Sequence, residues 1–287
     1  MGLLFFGAVC ISFSAIFVQL AGVAPSVSAF YRLGIGGAAL LVLLVAKGQW
    51  RAARHALAWP AVLCALFFVG DLLCWHASIA RIGPGLATLV GNFQVFFVTA
   101  AAAILARRLP RPSFLAAMGV ALFGLYLVIG RGFSAQTPDF RLGVGLGLLT
   151  SVFYALYILT LKTAVTDRGR AGPMAAMSIL SLAGAAILVP IVLAGGHSFV
   201  LPDTRSLLSL LGLGLVGQGL GWAAISFGLS RTKPAVAGLL LLLQPTLSYV
   251  WDVLFFDKPT GTVEIAGVIL ALAGIFLGST RNGRGKS

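Results

Sequence analysis

Carboxylates are scarce in this chain: its 287 residues carry seven Asp and Glu against 20 Lys and Arg. Charged residues of both signs amount to 9% of the sequence, well below the quarter or so of a typical water-soluble domain. Histidine and cysteine each occur three times. No His, Cys, Asp or Glu cluster has metal-ligand spacing, so a bound metal is not expected. Cys10, Cys64 and Cys74 fall within apolar runs, an odd number that argues against a disulfide framework and for small buried hydrophobes. No glycine-rich loop ends in Lys-Ser or Lys-Thr, which excludes an ATP-binding motor of that kind, and no cofactor is expected. The first run starts at Leu3 without a basic leader or a small-residue cleavage pattern, so it is expected to be retained as a helix. Phe6 occupies the place where myristoylation of Gly2 would need Ser or Thr.

What the chain has instead is apolar length. Hydrophobic residues make up 59% of it and mean hydropathy is +1.03. A soluble domain of this size cannot hide so much apolar surface, whereas a bundle in a bilayer need not. Ten runs stand out, near 3–20, 27–46, 57–79, 84–106, 113–130, 142–162, 172–194, 206–228, 235–256 and 262–279. Each approaches the ~20 residues that cross the hydrocarbon core as a helix. None shows the period-2 alternation of a membrane strand. The expected class is an all-α integral membrane protein of ten transmembrane helices, with loops too short for a soluble domain.

The net charge of +13 would suggest nucleic acid in a soluble protein, but its distribution argues for topology. With a cytoplasmic N-terminus, the inward segments carry Lys47, Arg51, Arg54, Arg107, Arg108, Arg111, Lys162, Arg168, Arg170, Arg231, Lys233, Arg281, Arg284 and Lys286. The outward segments carry Arg81, Arg131, Arg141, Arg205 and Lys258. That bias predicts both termini in the cytoplasm and no nucleic-acid partner. Arg32 is left as the basic residue well inside a run. It lies near enough to an end to snorkel, and is either an anion contact or a structural cap on neighbouring carbonyls.

The chain also repeats itself. Gly70-Asp71 followed by Trp75 corresponds to Gly217-Gln218 followed by Trp222, at an offset of 147. Pro84-Gly85-Leu86-Ala87 corresponds to Pro234-Ala235-Val236-Ala237, Gln94 to Gln244 and Gly124 to Gly274, at an offset of 150. The division is 1–135, 142–280 and a basic cytoplasmic tail at 281–287. Five spans per half is an odd number, so the second half is expected upside down relative to the first. Two inverted five-helix repeats around a central cavity are a recurrent basis for alternating access. Polar groups at the midplane favour transport over duplication for assembly alone. Gly143/Gly147, Gly217/Gly221 and Gly274/Gly278 have the spacing of close helix contacts.

Asp71 is the sharpest of those polar groups. A carboxylate at mid-membrane is costly and must face the bundle interior or a wet cavity. It is either a coupling or substrate group, neutral in one state and charged in another, or a protonated residue fixed by hydrogen bonds. Trp75 shares its face one turn on. His76 lies at the edge of that face, either as a proton or substrate contact or as a hydrogen-bonded packing residue. Gln218 and Trp222 repeat the pattern in the eighth run, where Gln218 either bonds solute or bridges helices. Asn92 and Gln94 in the fourth run and Gln244 in the ninth add polar groups, and Pro245 predicts a kink. Tyr154 and Tyr157 offer an aromatic lining with hydroxyl handles. Trp50, Trp59 and Trp251 read as interface anchors, and Asp252 and Asp257 as solvated residues near the outer surface.

Taken in order, Phe30-Tyr31-Arg32, Asp71-Leu72-Leu73-Cys74-Trp75-His76, Asn92-Phe93-Gln94, Leu243-Gln244-Pro245-Thr246 and a Gly-rich tenth run resemble the drug/metabolite transporter superfamily. The resemblance is specifically to its ten-helix EamA-type bacterial carriers, and it covers essentially the whole chain. It implies a bacterial inner-membrane carrier, often an exporter of amino acids or related metabolites, with a central cavity lined by both halves. On that reading the substrate contacts are Asp71, Trp75, His76, Asn92, Gln94, Tyr154, Tyr157, Gln218, Trp222 and Gln244, with Asp71 the proton-coupling candidate. Partners are then a small-molecule substrate, the lipid bilayer and protons, and one inverted pair can enclose a path as a monomer. Family members often place Glu at the cytoplasmic end of the fourth span and the outer end of the ninth. Here those regions read Arg107-Arg108-Leu109 and Asp257-Lys258-Pro259, so the helix-end contacts of that Glu are expected to differ. An exchanger of phosphorylated or nucleotide-linked solutes would want two or more cavity cations, for which the chain offers Arg32 and Lys162. An intramembrane enzyme would want paired groups, yet Asp71 and His76 diverge on one helix. A scaffold without transport is the remaining alternative.

Overall fold

A computed structural model describes residues 1–49, 59–105, 107, 109–130, 133, 136–166, 172–229, 231–232 and 234–281. Trp50, Arg51, Arg54, Arg108, Arg131, Arg168, Arg170, Lys233, Arg284 and Lys286 lie outside the described residues, as do the side chains of Trp59 and Lys162. Among the described residues ten helices are long and apolar enough to span a membrane: α1 Gly2–Ala21, α2 Pro25–Ala46, α3 Val62–Ile82, α4 Pro84–Leu105, α5 Pro112–Gly130, α6 Pro138–Leu161, α7 Met174–Ala194, α8 Thr204–Ile225, α9 Val236–Phe256 and α10 Thr262–Ser279. No strand occurs among the described residues.

The helix starts follow from local chemistry. Helical structure in α2, α4, α5, α6, α7 and α9 opens on Pro25, Pro84, Pro112, Pro138, Pro173 and Pro234, where a missing N–H costs nothing and φ is already helical. The sixth helix starts at Pro138, four residues before the sequence pattern suggested. Asp139 thereby enters its first turn, where a carboxylate complements the helix dipole, and accepts from Arg81 Nε at 3.0 Å. Asp203 caps α8 by accepting from Ser206 N at 2.7 Å, which holds its carboxyl below the usual carboxylate range. Val42, Leu254, Phe255 and Ile269 remain exposed at spanning depth, as helices facing lipid rather than water require.

Several helices are interrupted near mid-length. Regular α structure breaks at Phe13 in α1, at Asn92–Phe93 in α4 and at Leu242 in α9, and widens to π geometry over Tyr126–Gly130 and Leu213–Gly221. The kink expected from Pro245 falls at Leu242, in the preceding turn, where the ring and the missing N–H perturb the ladder. In α4 the loosened carbonyls find partners. Asn92 Nδ2 donates to Thr88 O at 2.8 Å, and Ser151 Oγ of α6 lies 2.8 Å from Val90 O and 3.1 Å from Gly91 O. Irregular backbone at this depth is tolerable only when so satisfied.

The main helix–helix contacts recur when each helix is exchanged for the one five later. The α3–α6 pair answers to α8–α1, α2–α8 to α7–α3, and α4–α6 to α9–α1, while α2–α7, α4–α9 and α5–α10 map onto themselves. In the α5–α10 seam a Cβ added at Gly124 would lie 2.6 Å from Gly267 O, and one added at Gly274 would lie 2.6 Å from Ala117 O. Both pairs of residues stand 150 apart in sequence.

Helices α4 and α9 pack through Pro84–Gly91 and Leu243–Phe256, and their other halves make little contact. At the packed end Asp252 is 2% exposed, which corrects its reading as a solvated residue. Its Oδ2 accepts from Gly85 N in the first turn of α4 at 3.0 Å and from Lys258 Nζ at 3.3 Å. A carboxylate at a helix N-terminus answers unpaired N–H groups and the helix dipole together. Gly83, at φ 82, leaves room for it, since a Cβ there would lie 2.9 Å from Oδ2. Ser248 Oγ, one turn before Asp252, lies 3.3 Å from Pro84 O and 3.2 Å from Thr88 Oγ1. Trp251, expected as an interface anchor, instead stacks on Phe13 at 4.8 Å and donates Nε1 to Ser12 Oγ at 3.0 Å. Asp257 ends α9 at φ 49.

Candidate functional site

Where α4 and α9 begin to part, their interrupted middles and helices α1, α2, α3, α6 and α8 enclose a cavity of about 100 Å³. Its walls carry Asp71, Trp75, Asn92, Gln94, Tyr154, Trp222, Gln244 and Arg32. Each half of the chain therefore contributes an aromatic and an amide at equivalent positions, Trp75 with Trp222 and Gln94 with Gln244.

Asp71 is 5% exposed, one turn after Phe68 and one turn before Trp75. Its side chain makes no hydrogen bond or ion pair with any described residue. Only its backbone carbonyl is engaged, by Thr150 Oγ1 of α6 at 3.5 Å. Arg32 of α2 is 4% exposed. Its Nε donates to Gln218 Oε1 at 3.0 Å and its guanidinium carbon lies 5.2 Å from the centroid of the Trp75 ring. The expectation that Arg32 caps backbone carbonyls is not met, because its protein acceptor is a side-chain amide. Gln218 in turn donates Nε2 to Ser181 Oγ at 3.0 Å and lies 3.6 Å from Met177 Sδ. That arrangement fixes which end of the amide faces Arg32.

Three expected contacts lie off the cavity wall. Gln218 is fully buried and holds Arg32 from behind, within the widened turn of α8. Gly36 of α2 makes this possible, since a side chain there would strike the methylenes of Gln218. His76 is buried against α2, its Nδ1 2.6 Å from Ser28 Oγ. Ser28 Oγ also donates to Pro25 O at 3.1 Å, so the ring donates from Nδ1 and its Nε2 is left buried without a partner. Tyr157 stacks on Phe68 at 4.7 Å with its hydroxyl buried and unpartnered. The face of α3 that carries Asp71 and Trp75 turns His76 away from the cavity, as a 100° step per residue requires.

The cavity wall also includes four residues that no sequence pattern singled out: Ser12, Thr88, Thr150 and Ser248. Ser12 sits beside the α1 break and bonds Val9 O at 2.7 Å, and Thr88 bonds Pro84 O at 2.7 Å. Short hydroxyl side chains that satisfy their own helix carry no distinguishing signal in a sequence of long apolar runs. No group of three His, Cys, Asp or Glu side chains converges among the described residues.

Comparison with known proteins places this geometry. The sequence pattern of the EamA-like transporter family matches residues 1–130 and again residues 141–280. No curated protein sequence gives a significant match. A solved structure, described only as the crystal structure of a protein, superposes with a TM-score of 0.69 at 20% identity. The superposition covers 99% of this chain and 98% of the other, a likeness of fold. The chain thus belongs to the EamA-like transporter family and is a multi-pass membrane protein of the drug/metabolite transporter type.

Proposed function

We propose that this member of the EamA-like transporter family is a secondary carrier that moves a small amphipathic metabolite, an amino acid or related compound, by alternating access. The observation that carries the reading is the cavity at the α4–α9 crossing, built from both halves of the chain, with α4 and α9 fastened together at the Gly85–Asp252 end. An amphipathic solute suits walls that pair Trp75, Trp222 and Tyr154 with Asp71, Arg32 and three amides. The reciprocal α5–α10 seam and the recurrence of the main helix contacts support two inverted five-helix repeats over 1–135 and 142–280, followed by a basic tail. The charge asymmetry of the loops supports cytoplasmic termini in a bacterial inner membrane, with export as the working direction and a monomer as the unit. Asp71, unpaired in the cavity, is the proton-coupling candidate.

A carrier of phosphorylated solutes is less well supported. Arg32 is the one cation on the cavity wall among the described residues, and a phosphate dianion would ask for more than one guanidinium. Purified protein in liposomes, screened by counterflow over amino acids, organic cations, nucleosides and sugar phosphates, tests the reading. Counterflow of amino-acid-sized solutes is expected. Counterflow confined to phosphorylated solutes would replace it, and none with any class would remove the carrier assignment.

A further inference from the structure

Arg32 is anchored twice and still has its working end free. Gln218 holds Nε at 3.0 Å and the Trp75 ring covers one face of the guanidinium. No described residue accepts from either terminal nitrogen, and Nη1 is buried without a partner. A guanidinium fixed at Nε presents its two terminal nitrogens as a planar fork, the geometry that meets two oxygens of one oxyanion. Trp222, one turn beyond Gln218 on α8 and on the same cavity wall, likewise keeps a buried Nε1–H without an acceptor. Buried donors are left unmade at a cost unless something brings the acceptor.

The opposite sign stands in the same cavity and is equally unused. Asp71 lines the wall, yet it forms no ion pair with Arg32 within 4.0 Å. Two unpaired opposite charges in one low-dielectric space would pull together if free to do so. Arg32 is kept from closing that gap by Gln218, itself tied to Ser181, and by the Trp75 ring.

We propose that Arg32 is the specificity-determining residue for the anionic end of the solute, taking a carboxylate on its terminal fork with Trp222 Nε1 assisting, and that Asp71 takes the ammonium at the other end. The inference rests on the carrier reading and adds to it the pair of side chains that reads a dipolar solute. It also separates the two anchors by role. Gln218 is a positioning residue that acts through Arg32, whereas Arg32 and Asp71 touch the solute.

The test compares L-leucine, L-leucinamide and 4-methylvalerate, which differ by the charge at one end only. Full-length protein in nanodiscs is titrated with each while quenching of tryptophan fluorescence is followed, since Trp75 and Trp222 line the cavity. The same three are run in counterflow. The wild type should bind leucine at least about tenfold more tightly than either analogue. Arg32→Lys, which keeps the charge but loses the fork, should weaken leucine about tenfold while leaving leucinamide within about twofold. Gln218→Leu should raise the KM for leucine and leave maximal exchange unchanged. Equal binding of leucine and leucinamide by the wild type would overturn the assignment, as would an Arg32→Lys variant that keeps the preference. Transport of other solutes with none of the three bound would also overturn it and leave the carrier reading standing. Arg32-dependent leucine binding without any counterflow would uphold the assignment and remove the carrier reading instead.

Discussion

Gly124 and Gly274 occupy one seam from opposite sides, each where a Cβ would lie 2.6 Å from a carbonyl oxygen of the other's helix. Gly124 faces Gly267 O and Gly274 faces Ala117 O, so the contact and its counterpart exchange when the halves are exchanged. Such reciprocity is what a two-fold relation between two surfaces produces, as in an isologous interface between separate chains.

Enlarging either glycine should force α5 and α10 apart. Gly274→Val is expected to destabilise the protein by about 1–3 kcal/mol through overpacking, read as a lowered midpoint of thermal unfolding in detergent. Gly119→Ala, on α5 with open space at its Cβ, should be neutral or slightly stabilising. Equal midpoints for the valine variant and the wild type would show that the seam yields freely.

Asp71→Asn keeps the shape of the side chain and loses its removable proton. The variant should fold and still exchange leucine, with a raised KM because the charge that takes the ammonium is gone, while the dependence of flux on pH is abolished. Proteoliposome flux across a pH series measures this. An unchanged profile would demote Asp71 from coupling and direct attention to proton-independent exchange.

Asp252→Ala removes the acceptor that joins α9 to the first turn of α4. Loss of a helix-terminal acceptor is worth about 0.5–2 kcal/mol. Distances between spin labels placed beyond Pro84 and beyond Phe256 should therefore broaden toward longer values. Asp252→Asn, which keeps an acceptor oxygen but drops the charge facing Lys258, should fall between. A distribution indistinguishable from wild type in the alanine variant would show that Ser248 and apolar packing suffice to hold this end.

Asp203 gives a pH dependence with a definite sign. Its carboxyl is held below its unfolded value by the Ser206 N–H bond, so the stabilisation is complete above about pH 4 and lost as pH falls through the folded-state value. Asp203→Ala should unfold at a lower temperature than wild type at pH 7, and the difference should vanish in strong acid. A difference that persists unchanged at acid pH would mean that the cap acts without its charge.

The ten helices were legible because crossing a bilayer imposes length and apolarity on each segment separately. Asp71, Trp75, Gln94 and Gln244 were legible for a related reason, as polar or repeated residues where lipid would forbid isolated ones. What stayed hidden depends on partners distant in sequence. Gln218 holds Arg32 from 186 residues away, and Ser28, 48 residues before His76, makes that ring a packing residue rather than a cavity wall. Asp252 was misread because depth along a helix was judged from the helix end alone, while Gly83 and Gly85 of another helix close over it. Ser12, Thr88 and Ser248 carry too little chemical contrast with their neighbours to be picked out one by one.

The carboxylate that fastens α4 to α9 has no equivalent across the repeat: Ala102 stands 150 residues before Asp252. If the chain works by the proposed alternating access, one clasp with no matching second among the described residues would make its two resting forms unequal even when nothing is bound. Solute arriving at the clasped face would then meet few receptive molecules, and its apparent dissociation constant there would be raised in inverse proportion to that fraction. Direction at equilibrium is untouched, since a full cycle returns every molecule to its start and the gradients alone set net flow. The consequence is kinetic and sided. On that proposal one face would saturate at low concentration and the other at high, so the same protein would meet the two compartments as carriers of different affinity.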